Sequence, residues 1–155
     1  MNISTSLNAR KTILSIFTLL AINSGVTAQN VNIPDVNFKA YLTNQFAGID
    51  TNGDGEISYG EAATYTGSID CFSLMISDLT GIETFTNLYG LNCENNSLAT
   101  LDLSGNSNLV TLNCSQNSIV ALDVTSNTNL SGSLYVNDNN LSSLNIANGS
   151  NNSMN

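Results

Sequence analysis

Apolar residues recur in short alternating couples along the second half of the chain: Leu91 and Cys93, Leu112 and Cys114, Leu134 and Val136. A period of two places both members of a couple on one face of an extended strand and turns Asn92, Asn113 and Tyr135 to the other face. Each couple is followed by another apolar residue (Leu98, Ile119, Leu141) and then by a second couple: Leu101/Leu103, Leu122/Val124, Leu144/Ile146. The pattern has a period of 21: residues 88–108 read "LYGLNCENNSLATLDLSGNSN" and residues 109–129 read "LVTLNCSQNSIVALDVTSNTN". Residues 130–151, "LSGSLYVNDNNLSSLNIANGSN", fit with one extra residue near Ser133, and a partial copy begins at Ile69. A fixed period of this size marks a solenoid, in which each coil buries its apolar face against the next. The first couples predict parallel strands about 4.8 Å apart. The second couples predict another inward row on the opposite wall.

Before Ile69 the spacing changes. In "IPDVNFKAYLTNQF", residues 33–46, Phe38, Tyr41, Leu42, Gln45 and Phe46 stand at helical spacing, and Asp35 after Pro34 fits an N-cap. An open solenoid end exposes core, so residues 29–68 are expected to form a small helical cap.

The segment "LxxLxCxxNxL" resembles the leucine-rich repeat. More narrowly, "LxxLNCSxNxLxxLDLSxNxN" resembles short repeats of secreted and surface proteins of Bacteroidetes-type bacteria, and "ISDLTGIETFTNL" resembles repeats of internalins. The resemblance implies an α/β solenoid: about four leucine-rich repeats with parallel strands over residues 69–151, preceded by the helical cap and followed by a tail, 152–155. It implies that Asn96, Asn117 and Asn139 point inward and bond neighbouring backbone. It also implies recognition of a protein or glycan on the strand face, in a surface or adhesive setting. The residues expected to meet that partner are Asn92, Glu94, Asn113, Ser115, Tyr135 and Asn137.

The cap contains "DTNGDGEISYGE", residues 50–61. It matches the EF-hand loop pattern D-x-[DN]-x-[DN]-G-x₅-E. Calcium takes six to eight oxygens. Asp50, Asn52 and Asp54 are placed to offer side-chain oxygens, Glu56 its backbone carbonyl, Ser58 a water-mediated contact and Glu61 two carboxylate oxygens. Gly55 permits the sharp turn. Two other readings stand beside this one: a metal-free Asn/Asp/Gly turn, and a helix start, since Ser58-x-x-Glu61 is also a capping box. A single loop with no Met-rich groove fits a structural clip better than a sensor.

Composition narrows the function. Arg10 and Lys11, the apolar run "TILSIFTLLAI" and small residues at Val26 and Ala28 make residues 1–28 a secretory signal peptide, too short in its apolar part to span a bilayer. Cleavage there leaves Lys39 against 12 acidic residues. Such a surface disfavours nucleic acid and favours cations and basic partners. No His is present, which rules out a Cys–His nucleophile, and no Gly-rich phosphate loop occurs, so no enzyme is expected. Cys71, Cys93 and Cys114 hold equivalent inward positions as small buried hydrophobes; pairing between adjacent strands stays open, although in-register Cβ vectors suit it poorly. The alternative to a binding module is a calcium-stiffened spacer of the envelope with no specific ligand. The sequence stops at "NGSNNSMN" with no C-terminal cap motif: either it is a fragment or truncated gene product, or a partner covers its end, and an uncovered last strand favours self-association.

Overall fold

The computed structural model describes residues 29–44 and 47–149. The proposed leader (1–28), Gln45 and Phe46 of the expected helix, and residues 150–155 with the tail lie outside the described residues.

Among the described residues the repeat builds six strands: β1 (Ser68–Asp70), β2 (Gly90–Asn92), β3 (Thr111–Asn113), β4 (Ala121–Asp123), β5 (Leu134–Tyr135) and β6 (Ser143–Asn145). Strands β1, β2, β3 and β5 form one parallel sheet in that order, and β4 pairs with β6 in a second. Neighbouring strands stand a full coil apart in sequence, which is what parallel pairing requires. The register aligns Ile69, Leu91, Leu112 and Leu134 in one column. The extra residue near Ser133 is absorbed between β3 and β5 without breaking that column.

Both rows of apolar couples enter a single core that includes Leu91, Cys93, Leu98, Leu103, Leu112, Ile119 and Val124. No coil could bury this surface alone, so stability comes from stacking. Two columns of asparagine tie the coils together. Asn96, Asn117 and Asn139 donate to backbone carbonyls of their own and the preceding coil, including those of Cys71, Cys93 and Cys114. Asn106, Asn127 and Asn148, which sequence reasoning missed, do the same on the opposite wall through the carbonyls of Ile82, Leu103 and Asn127. Their signal lies in the repeat: Asn106 and Asn127 occupy the same position of two near-identical copies. Each coil bends after its strand at a left-handed residue: Ser73, Asn95, Gln116 or Asp138.

The cap shares this core. Helix α1 (Val36–Leu42) buries Phe38 and Leu42 completely. Asp35 caps it, accepting from the Asn37 and Phe38 N–H groups, while its other oxygen accepts from the Ser77 N–H and hydroxyl. One carboxylate thus starts the helix and fastens it to the first coil. The Tyr41 hydroxyl accepts the Asp70 N–H at the outer edge of β1. Helix α2 (Tyr59–Thr64) begins at the Ser58/Glu61 capping box.

The helix expected within 33–46 begins after Asp35, its expected N-cap, and ends at Thr43. One expectation needs correction. Leu144 and Ile146 do not complete the inward row: they are 42% and 38% exposed, since no further coil among the described residues stacks on β6.

Candidate functional site

Two places gather polar side chains in the pattern the sequence foreshadowed. The first is the loop 50–61. Asp50 accepts from the N–H groups of Gly53 (2.7 Å) and Gly55 (3.0 Å), Asn52 from that of Asp54 and Asp54 from that of Glu56. Gly53 and Gly55 take φ of +72° and +78°, conformations open mainly to glycine. Glu61 closes the loop. One of its oxygens accepts from the Thr51 N–H and hydroxyl and the Asn52 N–H, the other from the Ser58 N–H and hydroxyl. Partial burial opposes ionisation of Glu61, but the bonds from Ser58 and Thr51 outweigh it and hold the carboxyl at about 2. The Glu56 side chain leaves the loop and pairs with Lys39. Ile57 is fully buried and its carbonyl accepts from the Val31 N–H, pinning the loop to the N-terminal segment.

The loop's donors are all oxygens, which suits a hard divalent cation. Their present geometry suits the loop itself. Glu61 accepts five hydrogen bonds, and a carboxylate offers roughly four lone-pair sites. Among the described residues, no three His, Cys, Asp or Glu side chains form a ready metal-binding group.

The second place is the outer face of the four-stranded sheet. Alternation turns Ser68, Gly90, Thr111 and Ser133 outward in one row and Asp70, Asn92, Asn113 and Tyr135 in the next. Together they line a groove of about 320 Å³. The Asn92 amide donates to Asp70 and the Asn113 amide to Glu94, each at 2.9 Å, and the Gln116 amide donates to the other Glu94 oxygen. Tyr135 is 54% exposed and lines the groove. Asn137 is exposed at the same repeat position as Glu94. Ser115 differs from expectation: it is 3% exposed and its hydroxyl donates to Asn113 Oδ1. It stiffens the face and is out of reach of a ligand.

Sequence reasoning named the Asn92 row and overlooked Asp70, Ser68, Gly90, Thr111 and Ser133. The same alternation around Leu91 and Leu112 marks them. Gly90 is the informative one: a Cβ there would lie 2.7 Å from Ser68 Oγ and 2.8 Å from Thr111 Oγ1. Those two hydroxyls already fill the space above this buried glycine, so any side chain here would have to displace them.

The core offers no nucleophile. Burial pushes the Cys71 and Cys114 thiols up to about 12 and raises that of Cys93 well above its ordinary value, and all three are free. Among the described residues no helix is long and apolar enough to cross a membrane.

Comparison with known proteins places this architecture. No family profile matches the chain. It is 40% identical over 74 residues to internalin J of Listeria monocytogenes serotype 4b, a stretch covering 48% of this chain and 8% of that protein. The solved functional domain of InlJ from Listeria monocytogenes, described as including a cysteine ladder, aligns at 38% identity with a TM-score of 0.60, over 77% of this chain and 28% of that one. An internalin, InlF, from the same species shares the fold at 23% identity and a TM-score of 0.55, over 75% and 37% of the two chains. The chain thus spans well under half the length of these relatives. Repeat, parallel sheet and similarity agree on a solenoid of leucine-rich repeats.

Proposed function

We propose that this leucine-rich repeat chain is an exported binding module, not an enzyme, and that it takes a protein ligand on the outer face of its four-stranded sheet. The observation that carries the reading is the groove floored by Gly90 and bordered by Asp70, Asn92, Asn113 and the exposed Tyr135. Its polar groups are held in place by side-chain bonds along the sheet, so little ordering is required on binding. Four strands at about 4.8 Å span roughly 19 Å, short of a standard interface of about 800 Å² per partner. Binding through this face alone is therefore expected to be weak. The test is retention of candidate surface proteins on the immobilised chain, with Tyr135→Ala and Asn113→Ala alongside. Retention untouched by both changes sinks the reading; retention of glycans in place of proteins redirects it.

A calcium clip in the cap is part of the proposal. Asp50, Asn52, Asp54, the Glu56 carbonyl, Ser58 and Glu61 would hold the ion, with Glu61 giving up part of its bonding to Thr51 and Asn52. At ~2 mM calcium and a Kd of ~0.1 mM, linkage stabilises the fold by about 1.8 kcal/mol. Titration calorimetry decides it: no heat and no rise in Tm at millimolar calcium ends the proposal, and Glu61→Gln should abolish any effect.

Export by the leader and kinship with the Bacteroidetes-type short repeats complete the proposal, on the residue patterns that suggest them. Self-association through β6 is tested by light scattering, with Leu144→Lys expected to disperse any dimer. A spacer without a ligand is the competing reading, supported by the use of Asn113 and Ser115 inside the sheet's own network.

A further inference from the structure

Resting on the strand-face reading above, we propose that the ligand segment is basic: an extended stretch of protein chain whose Lys or Arg side chains lie along the groove and pair with Asp70 and Glu94. Three features of the face select that chemistry. The first is charge. Asp70 and Glu94 lie on adjacent strands' rows, and their side-chain partners are the neutral amides of Asn92, Asn113 and Gln116. Among the described residues Lys39 is the sole Lys or Arg, and it is tied to Glu56 in the cap. The face therefore carries negative charge that no cation among the described residues answers. A neutral or acidic ligand that displaced water here would leave two carboxylates desolvated and unpaired, whereas a cationic one pairs with them.

The second feature is a row of hydroxyls. Those of Ser68 and Thr111 close over the buried Gly90, 2.7 and 2.8 Å from where a Cβ would lie, and Ser133 adds another hydroxyl to the same row. None of these hydroxyls has a hydrogen-bond partner among the described residues, so each has acceptor lone pairs for a guanidinium or ammonium N–H. The third is Tyr135, whose exposed ring borders the groove and offers a face on which such a cation stacks. Asp70 on β1 and Tyr135 on β5 stand three strands apart, about 14 Å, so carboxylates, hydroxyls and ring suit a segment that lays successive basic side chains across the sheet.

The experiment uses the purified protein, a phage-displayed library of random peptides and three synthetic octapeptides alike except for Arg/Lys, Gln or Glu at alternate positions. Affinity is read by fluorescence anisotropy at about 50 and about 300 mM salt, a range that shortens the screening length. The inference expects enriched library peptides to carry Lys or Arg, and the cationic octapeptide to bind at least tenfold tighter than the other two, less so at high salt. Asp70→Asn/Glu94→Gln should weaken it at least tenfold, and Thr111→Val, which removes a hydroxyl acceptor, should weaken it without changing net charge. Asp102→Asn/Asp123→Asn, which removes the same charge from the opposite wall, should cost less than twofold. Circular dichroism and Tm confirm that each variant is folded. Equal losses from both double variants, or no loss from either, overturn the inference. Enrichment of neutral peptides whose binding is lost in Tyr135→Ala overturns it too, yet leaves the strand-face reading standing. Absence of any peptide sensitive to changes on this face overturns both.

Discussion

Replacing Asn117 with alanine removes a side chain that touches no solvent-side ligand yet holds two coils together. Its amide donates to the carbonyls of Cys93 (3.0 Å), Cys114 (3.2 Å) and Ser115 (3.1 Å), and its oxygen accepts the Leu98 N–H (3.0 Å). The losses differ. The Cys93 and Cys114 carbonyls keep second donors in Asn96 and Asn139, and the Ser115 carbonyl keeps the Asn95 N–H. The Leu98 N–H, beside a fully buried side chain, keeps none. An orphaned buried donor costs about 1–3 kcal/mol and each partly compensated bond about 0.5 kcal/mol, for a total near 3 kcal/mol. For a domain of this size that lowers Tm by roughly 10–15 °C. Urea denaturation of the purified protein measures it, with Asn137→Ala, an exposed position at the same end of the strand, as the control. Asn117→Asp sharpens the test. It keeps an acceptor for the Leu98 N–H but turns a carboxylate oxygen toward three carbonyls, which raises the folded-state pKa. Its penalty should therefore be large at neutral pH, shrink as pH falls through the raised folded pKa, and reach its minimum below the unfolded carboxylate pKa of about 3.9. If Asn117→Ala costs less than about 1 kcal/mol, or no more than Asn137→Ala, the asparagine column does not bind the coils as argued.

Glu61 should set the acid limit of the cap. Its folded pKa, about 2, lies below the ordinary glutamate value of 4.5. Its contribution is therefore complete above pH 4.5 and lost as pH falls through about 2. Discounted for its partial exposure, that contribution is of order 1–2 kcal/mol, and Glu61→Gln should flatten the acid limb of a stability–pH curve. Gly105→Ala should destabilise strongly, by about 2 kcal/mol or more, because a Cβ there would lie 2.0 Å from the backbone oxygen of Glu83; a Tm drop under a few degrees would contradict this packing. The buried thiols should ignore a thiol reagent at pH 8 and react together on unfolding, whereas reaction of the native protein would refute their burial.

The repeat, the parallel strands and the inward columns are legible in the sequence because they follow from local periodicity. A couple spaced by two must share a face, and a 21-residue period must bring equivalent couples together. The caps at Asp35 and Ser58 are legible for the same reason: each bonds the backbone within three residues of itself. What the sequence hides depends on neighbours a coil away. Alternation turns Ser115 outward, but contacts within the stacked coils bury it. Gly90 has no room for a side chain only because Ser68 and Thr111, 22 and 21 residues distant, close over it. Leu144 and Ile146 carry the inward pattern and are nonetheless exposed, since burial needs a coil on both sides. Sequence period decides which way a side chain points; stacking decides what it meets there.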